Sequence, residues 1–150
     1  MKTIVALVDY SDATFKVLKQ AHTLAKAFGS HVIIMHVVPL EPVVVDFVIA
    51  PTMLEAPSPE AVKKHQERLL ELQESLTKNG VEASTRQFEG AGLEGILAEC
   101  DKLNTDLIIV GSHGHGPLYN LLVGSVTADL LKRATCPVLV VPACSKAKAA

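Results

Sequence analysis

The sequence has very few aromatic residues, and this scarcity narrows the kinds of fold it can adopt. Tryptophan is absent and aromatic residues make up 4% of the 150 residues, whereas hydrophobic residues make up 49%. A core so poor in rings must be built from Val, Ile, Leu and Ala, as in α/β proteins whose sheet is covered on both faces. A chain of this length predicts one domain that buries roughly two thirds of its unfolded surface without needing disulfide bonds.

The chain also lacks a charge excess, a long apolar run and a cysteine framework. A net charge of −2, with no basic run or aromatic platform, gives no support for nucleic-acid binding. Because no apolar run has transmembrane length and the N-terminus is patterned like a strand, we expect no membrane insertion and a cytoplasmic location. Cys100, Cys136 and Cys144 have no paired spacing, so we expect reduced, buried thiols, with an oxidation or cross-linking role open for Cys144.

Hydrophobic periodicity predicts alternating strands and helices along the chain. Strands are expected at residues 3–8, 31–38, 81–88, 107–110 and 138–141, and helices at residues 13–28, 59–78, 93–103 and 125–133. This alternation predicts a single α/β domain over residues 1–143 with a doubly wound, five-stranded parallel sheet. Residues 144–150 are predicted to form a flexible tail. The proline-rich segment 40–57 is expected to be an ordered, irregular excursion with a short helical turn, whose apolar centre could form a contact surface.

The stretch 106–126 combines a buried strand, a glycine-rich loop and a helix start. Gly111, Gly114 and Gly116 follow the apolar strand, and Gly124 and Ser125 open the next helix. Glycines let backbone N–H groups approach a phosphate closely, and the first turn of a helix adds unpaired donors and the positive end of its dipole. The stretch therefore predicts an anion-binding loop, with a simple tight turn as the alternative.

The predicted sheet also places an acid near this loop. Ligands of doubly wound sheets bind beyond the carboxyl ends of the strands, where the winding direction reverses. Asp9 follows the first predicted strand and Gly111 follows the fourth, so the two flank one crevice if those strands are neighbours. Asp9 and Ser11 could instead only cap the helix that follows them.

The glycine spacing resembles the signature of the nucleotide-binding branch of the universal stress protein family, G-x2-G-x9-G-[ST]. Gly111, Gly114, Gly124 and Ser125 occupy its fixed positions. The likeness covers nearly the whole chain, including V-A-L-V-D-Y-S, I-M-H-V-V and T-C-P-V-L-V-V-P. It implies the strand order 3-2-1-4-5, a Rossmann-like fold of the adenine nucleotide alpha hydrolase type, and a homodimer through residues 138–142, with higher oligomers open.

The same resemblance implies an ATP site. Asp9 would lie near the ribose, Leu7 and Val37 near adenine, and the glycine loop and helix start around ribose and phosphates. The implied set is Leu7, Asp9, Val37, Gly111, Ser112, His113, Gly114, His115, Gly116, Gly124, Ser125 and Val126. Many family members carry Lys or Arg in this loop, but here Lys102 is the only basic residue between Arg86 and Lys132. Phosphate charge would therefore be met by amides, by hydroxyls, by His113 or His115, and by Mg²⁺ carried with the nucleotide, and AMP or a cyclic nucleotide remains an alternative.

The remaining polar residues suggest no catalytic centre and no dedicated metal site. His113 and His115 lack a third ligand nearby in sequence, and no nucleophile is paired with a base. His36 is expected to be a partly buried, hydrogen-bonded residue at a strand end rather than a base, while His22, His31 and His65 are expected to be structural or solvated. The leading hypothesis is a nucleotide-binding regulatory protein whose occupancy alters its assembly or its contacts with a protein partner. A slow ATPase, a relative of adenylyl-transferring enzymes and a nucleotide-free dimeric scaffold are the alternatives.

Overall fold

The computed structural model describes residues 1–90, 92–112 and 125–142, and of residues 49–52 and 125–128 it describes the backbone alone. Seven strands and four helices lie in these ranges. The strands are β1 (Thr3–Leu7), β2 (His31–Val38), β3 (Glu41–Val45), β4 (Val48–Glu55), β5 (Ala83–Glu89), β6 (Leu107–Gly111) and β7 (Val138–Val141). The helices are α1 (Ala13–Phe28), α2 (Pro59–Lys78), α3 (Leu93–Lys102) and α4 (Ser125–Arg133).

Five of the strands form one all-parallel sheet in the order β5-β2-β1-β6-β7. Strand β1 lies at the centre of this sheet, with Val5 level with Ile33 of β2 and with Ile108 of β6. The chain winds outward from β1 through β2 to β5, then crosses back to β6 and β7. The predicted doubly wound sheet, with the order 3-2-1-4-5 for its five strands, is confirmed.

Local sequence explains where the first two helices begin and end. Helix α1 stops at Gly29, whose φ of 64° places it in the left-handed region that glycine adopts without steric cost. Helix α2 begins after Ser58, whose hydroxyl accepts a hydrogen bond from the Ala61 N–H at 3.3 Å, and Pro59 occupies the first helical position. Both helices therefore have the boundaries that the sequence predicts.

Two hydrophobic clusters cover the two faces of the sheet. One joins the sheet to α1 and α2 through residues such as Val17, Ala21 and Leu69. The other joins it to α3 and α4 through Ile96, Cys100 and Leu130. Aliphatic side chains dominate both clusters, as the composition predicts. No helix in the described ranges is long and apolar enough to cross a membrane.

The segment 40–57 differs from its prediction. In place of an irregular excursion with a helical turn, β3 and β4 form a separate antiparallel hairpin. The tight turn lies at Asp46 and Phe47, both with positive φ (49° and 63°). Proline has no N–H group to donate, so in sheets it is tolerated at open edges and at bulges. Each strand of a two-stranded ribbon has an open edge, and the register shifts beside Pro42, so this hairpin can contain prolines.

Candidate functional site

The carboxyl edge of the sheet brings together the three strand ends that the sequence singled out. Asp9 follows β1, Val37 lies near the end of β2, and Gly111 ends β6. The central position of β1 makes β2 and β6 its two neighbours. The crevice between β1 and β6 is therefore the point where the chain reverses its winding, and Asp9 and Gly111 flank it as expected.

The Asp9 carboxylate is buried, and only one of its two oxygens is used. Its side chain is 6% exposed, and its Oδ1 atom accepts hydrogen bonds from the Ser11 N–H at 2.9 Å and from the Ser11 hydroxyl. The Thr14 hydroxyl lies 3.5 Å from the same oxygen. Among the residues that the structure describes, the Oδ2 atom is buried and has no hydrogen-bond partner. An unpaired buried acceptor is costly, so this oxygen is suited to a donor supplied by a ligand.

The capping alternative for Asp9 finds little support in this geometry. The residue before α1 is Asp12, whose side chain makes no capping hydrogen bond. The Ser11 hydroxyl accepts from the Ala13 N–H at 3.3 Å, so Ser11 has the local role that the alternative predicted. None of the donors to Asp9 Oδ1 is a backbone N–H of α1. Asp9 instead shapes the turn between β1 and α1.

Two aliphatic side chains and the start of the glycine loop border the same edge. Leu7 and Val37 are both buried and belong to the cluster on the α3 and α4 face of the sheet. Gly111 is buried and pairs with Val141 of β7, whose carbonyl accepts a hydrogen bond from the Ser112 N–H at 2.8 Å. Gly111 and Ser112 are thus held at the strand end from which the glycine loop departs.

The rest of the predicted loop lies outside the described residues. This applies to His113, Gly114, His115, Gly116 and Gly124. Helix α4 starts at Ser125, so the backbone of Ser125 and Val126 forms a helix N-terminus as predicted, and their side chains are not described. Their contact with a ligand, and that of the loop, stays a prediction.

A cluster centred on Tyr10 adjoins Asp9 and was not predicted from the sequence. Tyr10 has a φ of 61°, a conformation that costs a non-glycine residue roughly 1–2 kcal/mol. Its hydroxyl donates to the His65 carbonyl at 2.7 Å, and its ring centroid lies 4.1 Å from that of His36. The Arg68 guanidinium lies 4.6 Å from the Tyr10 ring centroid. These contacts fix the turn that carries Asp9 to helix α2.

Hydrogen bonding assigns the protons on the two histidines of this cluster. His36 is fully buried, and its Nδ1 atom lies 2.9 Å from the Val8 carbonyl, which can only accept, so Nδ1 carries the proton. The Nε2 atom of neutral His36 is then an acceptor. It lies 2.7 Å from Nδ1 of His65, which must be the donor. Protonation of His36 would reverse this bond, because its Nε2 atom would become the donor and Nδ1 of His65, with the His65 proton on Nε2, would become the acceptor.

The buried His36 predicts a loss of stability in acid. Burial lowers the pKa of His36 to about 4, below its usual value near 6.5, and the positive charge of Arg68 acts in the same direction, although the Val8 carbonyl and Asp9 oppose it. Between pH 4 and pH 6.5, His36 therefore binds a proton in the unfolded chain but not in the folded chain. The free energy of unfolding should therefore fall by about 3 kcal/mol as pH drops from 6.5 to 4.

Urea denaturation at a series of pH values in this window measures the slope. His65, whose pKa is lowered chiefly by burial, contributes in the same direction. The variant His36→Gln removes the main titrating group, so its free energy of unfolding should depend much less on pH, whatever its absolute value. An equal slope in the variant and the parent would contradict the role given to His36.

The sequence contained a signal for only part of this cluster. His36 was expected to be a partly buried, hydrogen-bonded residue; the hydrogen bonding is confirmed, but the residue is fully buried. Its bond to His65 joins residues 29 positions apart, and no periodicity in the sequence predicts it. Cys100 is buried and Cys136 half-buried, both as free thiols, and burial raises the pKa of each. In the described ranges no group of three His, Cys, Asp or Glu side chains could hold a metal ion.

The doubly wound sheet, with a buried acid and a glycine-rich loop at its switch point, defines an α/β domain of the Rossmann-like class. Residues 1–142 match the universal stress protein family. The chain is 34% identical over 142 residues to universal stress protein MJ0531 of Methanocaldococcus jannaschii, an alignment that covers 93% of this chain and 81% of that protein. The chain belongs to the universal stress protein family.

Solved structures show the same fold at lower sequence identity. A universal stress protein in complex with cAMP superimposes with a TM-score of 0.68 at 22% identity and covers 95% of this chain and 98% of its own. The universal stress protein of Archaeoglobus fulgidus in complex with dAMP gives a TM-score of 0.64 at 22% identity, covering 93% and 96%. Some structural neighbours of this chain therefore bind adenine nucleotides.

Proposed function

We propose that this chain is an ATP-binding universal stress protein, a regulatory protein whose nucleotide occupancy tunes its assembly or its contacts with a protein partner. The observation that carries the proposal is the buried Oδ2 atom of Asp9 at the carboxyl edge of the sheet, which has no hydrogen-bond partner in the described part of the chain. A ribose hydroxyl is a neutral donor of the kind that this oxygen lacks. The family membership and the nucleotide complexes of structural neighbours support the same ligand class.

The residues at the edge supply complementary groups for such a ligand. Leu7 and Val37 would border the adenine, with hydrogen bonds to the base left to the backbone of Val37. Gly111 and Ser112 would lead the loop around ribose and phosphates, while the N–H groups that open α4 would meet the phosphates. Because the loop carries no Lys or Arg, we place Mg²⁺ with the nucleotide as the main counter-charge.

The neighbours bound to cAMP and dAMP favour a second ligand class, a monophosphate or cyclic nucleotide. ATP and a monophosphate or cyclic nucleotide would make the same adenine and sugar contacts and would differ in their contacts at the phosphates. The site as proposed offers amides and hydroxyls but no positive side chain in the loop, which limits how much triphosphate charge it stabilises without a divalent ion.

Mass spectrometry of the small molecules released when the purified protein is denatured tests the proposal. We expect an adenine nucleotide in near-stoichiometric amount, and its mass distinguishes ATP from AMP and from a cyclic form. A protein that releases no nucleotide, and that gives no binding heat with ATP, AMP or cAMP in the presence of Mg²⁺, would instead be a nucleotide-free scaffold.

We also propose a homodimer through residues 138–142. Strand β7 lies at one edge of the parallel sheet that the described residues form, and the outward backbone groups of an edge strand favour association with another strand unless they are covered. A symmetric partner strand would cover them. Leu139→Lys should shift the protein toward monomer in sedimentation experiments at micromolar concentration, because Leu139 is only partly buried by its own chain.

The choice of variant matters for this test. Val141 is 7% exposed within the core, so a lysine there would damage the fold itself. Leu131→Lys on helix α4 is the matched control, since Leu131 is 53% exposed and lies away from the strand. A dimer that survives Leu139→Lys unchanged would exclude this interface.

A further inference from the structure

The hairpin β3–β4 exposes apolar side chains on both of its faces. These are Val44, Val45, Phe47, Val48, Met53 and Leu54, and Phe47 at the tip is fully exposed. An isolated two-stranded hairpin is marginally stable in water, and a contiguous exposed apolar surface of this kind marks an interaction site. Phe47 also adopts a positive φ, where glycine would be favoured, and strain of this kind is typical of functional positions.

The backbone of the hairpin is poorly suited to pairing with another strand. Pro42 in β3 and Pro51 in β4 have no N–H group, and the register shifts beside Pro42. Such prolines and irregularities are the features that protect an edge strand from edge-to-edge association. The hairpin would therefore dock through its apolar side chains, which suits a groove between helices better than a sheet edge.

Charge narrows the choice of partner further. The hairpin carries Glu41, Asp46 and Glu55, and no Lys or Arg occurs between Lys26 and Lys63. An acidic apolar arm is repelled by anionic lipid surfaces and by nucleic acid. It matches an apolar groove with basic residues around it.

The chain itself carries such a groove between α1 and α2. Its walls include Phe15, Leu18, Leu72 and Leu76, with Lys19, His22, Ser75 and Asn79 also lining it. Its volume is about 240 Å³, and a cavity of roughly 150 Å³ is large enough to hold a benzene molecule. Helix α1 contains three lysines and no acidic residue, whereas the positive and negative charges of α2 balance, with four Lys or Arg and four Glu. Lys19, which lines the groove, therefore carries a charge opposite to that of the hairpin.

We propose that the hairpin is an exchange arm that places Phe47 in the α1–α2 groove of a second copy of this chain. Within one chain Phe47 is fully exposed, so the contact is between copies. Reciprocal exchange of two arms gives a closed twofold dimer, and one-way exchange gives a ring or a longer assembly. This contact uses a surface different from strand β7 and does not require a bound nucleotide.

Disulfide cross-linking between copies tests the arm directly. One chain carries Phe47→Cys and a second carries Phe15→Cys, both with Cys136→Ser and Cys144→Ser to reduce background, and the two are mixed at micromolar concentration under mild oxidation. We expect a mixed disulfide in at least tenfold excess over a matched pair that replaces Phe15→Cys with Phe28→Cys, an exposed aromatic at the other end of α1. Because charge attraction is screened, about 1 M salt should lower the yield.

Each outcome of the cross-linking experiment either supports the exchange of arms or overturns it. A mixed Phe47–Phe15 cross-link above the control supports it, and loss of the larger assembly in Phe47→Gly, which the positive φ tolerates, supports it independently. A dominant link between two Phe47→Cys tips would show hairpin-to-hairpin contact and overturn it. A yield no higher than that of the control pair would overturn it as well.

Discussion

Asp9→Asn should weaken ATP binding by between about tenfold and a hundredfold while leaving the fold as stable as the parent or more stable. The amide keeps an acceptor for Ser11 but replaces the charged Oδ2 atom, and a hydrogen bond to a charged group contributes roughly 1.5–3 kcal/mol. Within residues 1–90, 92–112 and 125–142 that oxygen has no partner, so the substitution replaces a buried charged group by a neutral one, which is less costly to bury. Titration calorimetry and thermal unfolding measure the two effects separately.

Asp12→Asn is the matched control for this variant. Asp12 is exposed, lies in the same turn and makes no side-chain capping bond, so its replacement should alter neither property. If Asp9 served only the fold, the opposite pattern would appear, with lost stability and unchanged affinity for ATP. That pattern would contradict the ligand role of Asp9.

Gly124→Val should abolish ATP binding and leave the protein folded. If Gly124 allows the backbone to approach a phosphate, a side chain at this position must collide with the ligand. The residue immediately precedes helix α4 in the sequence, and at a helix start with φ below zero a larger residue can even stabilise a fold by roughly 0.4–1 kcal/mol through the unfolded state. Calorimetric titration with ATP and a thermal melt of the same sample give both results.

Gly92→Val provides the comparison for Gly124→Val. Gly92 precedes helix α3 with a φ of −80°, and apart from its chain neighbours no described residue lies within 4 Å of the position that a Cβ atom would occupy there. This variant should bind ATP as the parent does. A folded Gly124→Val protein with parental affinity would remove the phosphate-loop assignment.

Most of the fold could be predicted because its core strands and helices have strong local patterns. The continuous apolar runs of β1, β2 and β6 mark strands buried on both faces, and Gly29 and Ser58 mark helix ends. The hairpin was not predicted because its prolines argue against a strand. Prolines are tolerated when both strands lie at an edge, but whether a strand lies at an edge depends on the topology and not on the local sequence.

Part of the site could also be predicted, because some of its residues adjoin strands with strong local patterns. The positions of Asp9 and Gly111 could be predicted because each directly follows a strand that the sequence predicts, at residues 3–8 and 107–110. The cluster of Tyr10, His36 and His65 could not, because its contacts join residues 29 and 55 positions apart and depend on how α2 packs on the sheet. Nor does the sequence indicate that Tyr10 adopts a positive φ, since tyrosine rarely does so.

Backbone amide NMR of the nucleotide-stripped protein, titrated with ATP and Mg²⁺, tests the central proposal most directly. If the chain binds ATP at the carboxyl edge of the sheet, the amide chemical shifts of Asp9, Val37, Gly111 and the start of α4 should change saturably. The amides of the α1–α2 groove and of the hairpin should change little. An unchanged spectrum at millimolar ATP, or shifts confined to surfaces away from the carboxyl edge of the sheet, would contradict it.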